Sequence, residues 1–271
     1  MSDPRVIAID PAPAKPSMVF DGARYSRMSA PELRDYVNRI ASEGPGTLLC
    51  WDAPLTGPAD SVRPGSNRYD FTKRRIERFF SIEATGFKAP KGISVLGYGE
   101  CPHWTITRSL LGLPRVGSFD VPESRLPFGL MTEPGCRDQQ RPCVVEIHPA
   151  LAAWLWCRRE RQAEASWVYK GSKYPEHKRR PVWREMWDII LRRTEFAEDL
   201  PYPESDDEFD AGVGYILGTM ISQDETDQRR RCTIVGNARD GAFLVPSSPE
   251  LIAAWNSWQE TDGSIRESQA S

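Results

Sequence analysis

Val6-Ile7-Ala8-Ile9-Asp10 and Thr47-Leu48-Leu49-Cys50-Trp51-Asp52 are two apolar runs, each stopped by an aspartate. Short runs that are apolar throughout suit strands buried on both faces. Between them, Pro11, Pro13 and Pro16 forbid a helix and predict a turn. Residues 17–20 and 23–28 flank Asp21-Gly22, a hairpin signal. Ser29 is placed to cap a helix from Pro31 to about Ile40, with Leu33, Tyr36, Val37 and Ile40 on one face. Gly44-Pro45-Gly46 breaks it. The order strand, hairpin, helix, strand lays the second acid-tipped strand beside the first through a right-handed crossover, which predicts an α/β sheet flanked by helices.

The chain has 271 residues, 39% of them hydrophobic and 27% charged, so it is ordinary globular sequence able to bury a sizeable core. We expect one domain over residues 1–258 and a polar, disordered tail over 259–271. A formal net charge of −3 argues against binding a polyanion by bulk charge alone, so any nucleic-acid contact needs local basic patches. Cys50, Cys101, Cys136, Cys143, Cys157 and Cys232 form no C-x-x-C pair and predict reduced thiols in a cytoplasmic protein. The N-terminal residues lack the plan of a signal peptide, and no apolar run nears the roughly 20 residues of a membrane span.

Farther along, residues 56–141 are rich in Pro, Gly and Arg and are expected to be an insertion covering the core. Within it, residues 69–82 read as a basic amphipathic helix, with Ile76, Phe79 and Phe80 on one side and Lys73, Arg74, Arg75 and Arg78 carrying charge. A third buried strand, Cys143-Val144-Val145, ends at Glu146. Helices are expected over 149–159, 182–193, 206–221 and 249–258, with residues 160–180 polar and two late strands at 232–235 and 242–245.

Asp10, Asp52 and Glu146 therefore each end a buried strand, where ligands of open α/β sheets bind. An aspartate after a strand is often only a turn residue, but three such acids invite a common site. Asp207 and Asp210 share one face of the 206–221 helix, which also holds Gly212, Gly214 and Gly218. Each glycine costs about 1 kcal/mol against Ala in a helix interior, and close approach of helix to sheet is the expected compensation. Asp206 and Asp207 suit the helix N-terminus. Asp210, about a turn inside, needs another partner, because a carboxylate on a buried face is costly unless it is paired or metal-bound. Hard cations such as Mg²⁺ or Mn²⁺ take such oxygen ligands.

Ile9-Asp10, Trp51-Asp52-Ala53-Pro54-Leu55, Glu146-Ile147-His148-Pro149-Ala150 and Asp207-Glu208-Phe209-Asp210-Ala211 resemble, in order, four blocks of the DUF429 family, described as predicted nucleases of ribonuclease H-like fold. The Arg68/Asp70 stretch and residues 170–180 resemble family segments less closely, and Pro11-Ala12-Pro13-Ala14-Lys15 stands where the family tends to be glycine-rich. The resemblance implies a ribonuclease H-like mixed sheet and a metal-dependent phosphodiester hydrolase, a nuclease acting on DNA or RNA. Asp10, Asp52, Glu146 and Asp210 would be catalytic and would hold Mg²⁺ or Mn²⁺, with Asp207 as an outer ligand. Lys15 either reaches a phosphate or neutralises the acids. His148 is a candidate base or substrate contact, and Arg74, Arg75 and Arg78, like the runs 178–180 and 229–231, are candidates to track a phosphate backbone. Two other readings stay open: a sugar-kinase or actin-like phosphotransferase, against which stands the lack of a second copy of the fold, and an inert ribonuclease H-like binding protein. Cys101, His103, Cys136 and Cys143 offer zinc-type ligands, but not at the regular short spacing of closed zinc sites.

Overall fold

The computed structural model describes residues 4–56, 74–93, 102–112, 126–135, 137–161, 165–171, 174–196, 200–227, 231–238 and 241–270. Strand β1 (Arg5–Asp10) pairs antiparallel with β2 (Ser17–Phe20), which pairs antiparallel with β3 (Tyr25–Met28). Helix α1 (Ala30–Ser42) follows. The Ser29 N–H, just ahead of it, donates to the Glu32 carboxylate at 2.8 Å, and Leu33, Val37 and Ile40 are buried, as their spacing predicts. The chain returns as β4 (Thr47–Trp51), parallel to β1. Next come α2 (Arg75–Phe79), α3 (Pro102–Leu111), β5 (Gly129–Met131) and β6 (Cys143–Glu146). After them stand α4 (Pro149–Cys157), α5 (Glu176–Thr194), α6 (Asp206–Asp227), β7 (Cys232–Asn237), β8 (Gly241–Pro246) and α7 (Pro249–Ala270).

Six strands form one mixed sheet in the order β3-β2-β1-β4-β6-β5, and β7 and β8 form a separate antiparallel pair. Side chains alternate across the main sheet. Ile7, Ile9, Leu49, Trp51 and Val144 share one core with α1 and α3. Val6, Ala8, Leu48, Cys50, Val145 and Ile147 share the other with α4, α5, α6 and the β7–β8 pair. Both faces are thus covered by helices, which is why the central strands read as unbroken apolar runs.

Several elements differ from the sequence expectation. The insertion contributes β5, an edge strand parallel to β6, and α3, which packs near α1; neither carries a long apolar period. Only residues 75–79 of the expected 69–82 helix are helical, and residues 69–73 lie outside the described residues. Helix α5 starts at Glu176, six residues before the apolar period begins at Val182, because its first turns carry charge rather than core contacts. The tail expected to be disordered after Trp258 continues α7 to Ala270. Gln259, Glu260, Arg266, Glu267 and Ala270 are good helix formers, so polarity there does not end the helix.

Helix α6 lies directly on β1 and β4. A Cβ on Gly214 would meet Ile147 Cδ1 and, at 3.2 Å, Ala8 Cβ; one on Gly218 would collide with Cys50 Sγ and Val6 Cγ1. The close approach expected from the glycines is present, and it fixes where the first turns of α6 meet the carboxyl ends of the strands. Gly218→Ala should gain about 1 kcal/mol in helix propensity but lose about 1–3 kcal/mol to overpacking against rigid core neighbours. Chemical denaturation should therefore show a net loss of stability; a more stable variant would mean that α6 is not held against the sheet.

Candidate metal centre

The parallel ladder between β1 and β4 sets the geometry. Ile9 pairs with Trp51, and the Asp52 N–H donates to the Ile9 carbonyl at 3.0 Å, so the two aspartates that follow come off adjacent strands at one level. Both fall one residue after side chains of the α1 core, and so turn to the face covered by α6. Asp210, four residues into α6 and fully buried, descends onto the same point. Each of Asp10, Asp52 and Asp210 offers a carboxylate oxygen within 4.8 Å of the others, a group that can hold a metal ion.

Two residues that sequence reasoning did not single out complete the cluster. The Lys170 ammonium is in ion-pair contact with Asp210 Oδ2, and the Tyr169 hydroxyl donates to Asp210 Oδ1 at 2.6 Å. They sit on an irregular segment anchored by Trp167 and Tyr169, both buried, while Val168 and Lys170 are only partly so. Burial pushes the carboxyl of Asp10 up and that of Asp52 well up, and neighbouring carboxylates add to it; for both, Lys170 acts in the opposite direction. Burial likewise raises Asp210, to about 7, despite the adjoining lysine. For Lys170, burial works against the charged form, but Asp210 foremost, with Tyr169, Asp10 and Asp52, outweighs it and holds the ammonium well above the ordinary lysine range. Once all three carboxyls are deprotonated, they leave two negative charges uncompensated against one ammonium, which is the condition a divalent cation relieves.

Glu146 lies outside this close group, although its charge still reaches Asp52, and register contributes to the separation. It pairs with Trp51, one level before Asp52. A one-residue offset turns a strand side chain to the other face. Its oxygens are already engaged: Oε2 accepts from Leu55 N–H at 2.8 Å and Arg74 Nη1 at 3.0 Å, and Oε1 accepts from Arg74 Nη2 at 2.7 Å. Arg74, read from sequence as a phosphate contact, is 1% exposed and has no surface to offer. Its guanidinium also donates to the Thr56 carbonyl at 2.7 Å and to Glu77, whose carboxyl burial pushes up to about 7 against the pull of the arginine. Arg74 and Glu146 together grip the turn of residues 52–56 at Leu55 N–H and Thr56 C=O, and so fix the turn that carries Asp52.

The remaining candidates lie at the rim or elsewhere. Asp207 is outside the close group; Lys15 donates to both its oxygens at 2.6 Å. Arg179 pairs in the same way with Asp206 at 2.7 Å. His148 caps α4, its Nδ1 accepting from Leu151 N–H at 3.3 Å, with its ring edge-on to Phe243. That cap explains the histidine structurally. Arg75 reaches the Gln259 carbonyl on α7 at 3.3 Å, and only Arg78 of the three arginines is exposed. Helix α2 is thus docked by its charges as well as its apolar side, and does not present a basic stripe. Arg68, Asp70, Lys73, Cys101, Cys136, Arg229 and Arg230 lie outside the described residues. Among the described residues, no helix is long and apolar enough to cross a membrane. Comparison with family models, with curated proteins and with solved structures finds no match to this chain.

The buried arginine allows a direct check. Removing one partner of a buried ion pair leaves the other charge unpaired, at a cost of about 3–5 kcal/mol. Arg74→Met should lose stability on that scale in a denaturant titration. A change no larger than that of a surface substitution, about 0.5 kcal/mol, would show that the guanidinium is not buried between Glu77 and Glu146.

Proposed function

We propose that the protein is a metal-dependent phosphodiester hydrolase of ribonuclease H-like architecture acting on nucleic acid. One observation carries the reading: a carboxylate oxygen from each of Asp10, Asp52 and Asp210 converges with the others at the carboxyl ends of two parallel strands. The strand–hairpin–helix–strand order, and the placement in that cluster of acids from three of the four DUF429-like blocks, support it. Oxygen-only ligands favour Mg²⁺ or Mn²⁺ over softer ions.

Asp10 and Asp52 are the residues that would hold the ion, with Asp210 completing the set. A divalent ion bound there supplies charge neutralisation and an activated water. The chain's own contribution is positioning. Tyr169 and Lys170 fix the two oxygens of Asp210, and Arg74 with Glu146 fixes the turn of Asp52. In the hydrolysis, the water oxygen bonds to phosphorus as the bond from phosphorus to the departing sugar oxygen breaks. One water proton ends on that oxygen, so a single water is consumed per cut.

Asp52→Asn tests the centre without knowledge of the substrate. It removes one of the excess charges and nearly keeps the shape, so the metal-free variant should melt at or above the wild-type temperature. Wild type should gain about 2.7 kcal/mol at a Mn²⁺ concentration one hundred times Kd, and the variant should lose most of that gain. A destabilised variant with an undiminished Mn²⁺ response would remove Asp52 from the site. In a nuclease assay, Mg²⁺ or Mn²⁺ should support cleavage and Ca²⁺ should not; cleavage in EDTA would contradict the mechanism.

The raised carboxyl of Asp210 gives the pH dependence. Its folded pKa of about 7 lies above the ordinary 3.8, so its stabilising contribution is full below about pH 4 and is lost as pH rises through about 7. Metal needs the deprotonated form. The Mn²⁺-induced rise in melting temperature should therefore be small near about pH 5 and reach its full size above about pH 7. A metal gain that is flat over this range would contradict ligation by these carboxylates.

A further inference from the structure

We infer that Lys170 takes the place of a second metal ion, so that the centre binds one divalent cation rather than two. The inference rests on the proposed metal-dependent reading of the same site, and adds its stoichiometry and the role of a residue outside the acid set.

Lys170 Nζ lies against Asp210 Oδ2 and within electrostatic reach of Asp10 and Asp52, so a full positive charge already sits among the three carboxylates. Tyr169 occupies the other oxygen of Asp210. Both oxygens of that aspartate therefore carry a partner, and among the described residues Asp10 and Asp52 are left as the carboxylates with most free lone pairs. Two ions side by side need more bridging oxygens than this arrangement leaves. The surrounding acids do not make up the difference. Asp207 is matched by Lys15 and Asp206 by Arg179, and Glu146 is engaged by Arg74, which it shares with Glu77. With the three carboxyls deprotonated, as metal binding requires, the excess at the centre is two negative charges, and one divalent ion cancels it. A second would leave the centre, before substrate binds, with two positive charges in excess.

An ammonium is a compact point charge with three donors on a flexible stem, suited to contact a phosphate oxygen as well as a carboxylate. The Lys170 side chain is 35% exposed, whereas the Asp210 side chain it pairs with is fully buried. In this role it shares with the metal ion the negative charge of the phosphodiester.

The test is Mn²⁺ binding to the full chain near about pH 8, counted by the electron paramagnetic resonance signal of free Mn²⁺. Wild type should bind one Mn²⁺. Lys170→Met, which keeps an unbranched side chain one atom shorter and removes its charge, should bind Mn²⁺ about tenfold more tightly or take up a second ion, because a competing cation has gone. Its nuclease activity should fall all the same. Lys170→Arg should keep a stoichiometry of one and guards against a Lys170→Met protein that does not fold. Two ions per wild-type chain would overturn the role of Lys170 while leaving the metal reading intact. Weaker Mn²⁺ binding by folded Lys170→Met would also overturn it, since the lysine would then organise the ligands rather than replace a cation. No Mn²⁺ binding by wild type or variant would remove the metal reading on which the inference stands.

Discussion

The parallel register of β1 on β4 is the constraint from which the rest of the site follows. With Ile9 opposite Trp51, Asp10 and Asp52 leave the sheet side by side on the face that α6 covers. Shifting either strand by one residue would send its aspartate to the opposite face, into the core of α1 and α3. The register is held by that same alternation, because each slip would also expose Ile7, Ile9, Leu49 and Trp51 to the wrong layer. Packing the core and assembling the acids are thus one requirement.

The second requirement is that α6 come close. Gly214 and Gly218 let its backbone rest on Ala8, Cys50 and Val6, and this carries Asp210 down to the strand ends. The acids so assembled repel one another and are partly desolvated, which works against the stability of the fold. Tyr169, Lys170 and the Arg74–Glu146 clamp restrain them. Local rules are broken at one place, where glycines interrupt a helix and carboxylates cluster in low dielectric. Such breaches mark functional sites more often than structural ones.

Much of this was legible in the sequence, and the misses have physical causes. The runs ending at Asp10 and Asp52, the hairpin at Asp21-Gly22, the capped helix α1 and the inward face of α6 all announce themselves by local pattern. Glu146 looked equivalent to the two aspartates because each ends an apolar run, and strand register, a relation between distant segments, is what separates it from them. Arg74 sits in a run of basic residues whose partner Glu146 is 72 positions away, so its burial could not be read locally. Tyr169 and Lys170 stand on an irregular segment with no helical or strand period; the one sequence signal there was the weaker family resemblance of residues 170–180, which begins at Lys170 and gives it no role. Strand β5 was hidden for a related reason, since three residues are too few to show alternation.

The central claim is that the three aspartates form a cation site. A crystal of the protein soaked in Mn²⁺ and measured at the manganese absorption edge tests it most directly. The account predicts an anomalous peak bounded by Asp10, Asp52 and Asp210, beside the Lys170 ammonium. Absence of density there at saturating Mn²⁺, with the three carboxylates well ordered, would contradict it.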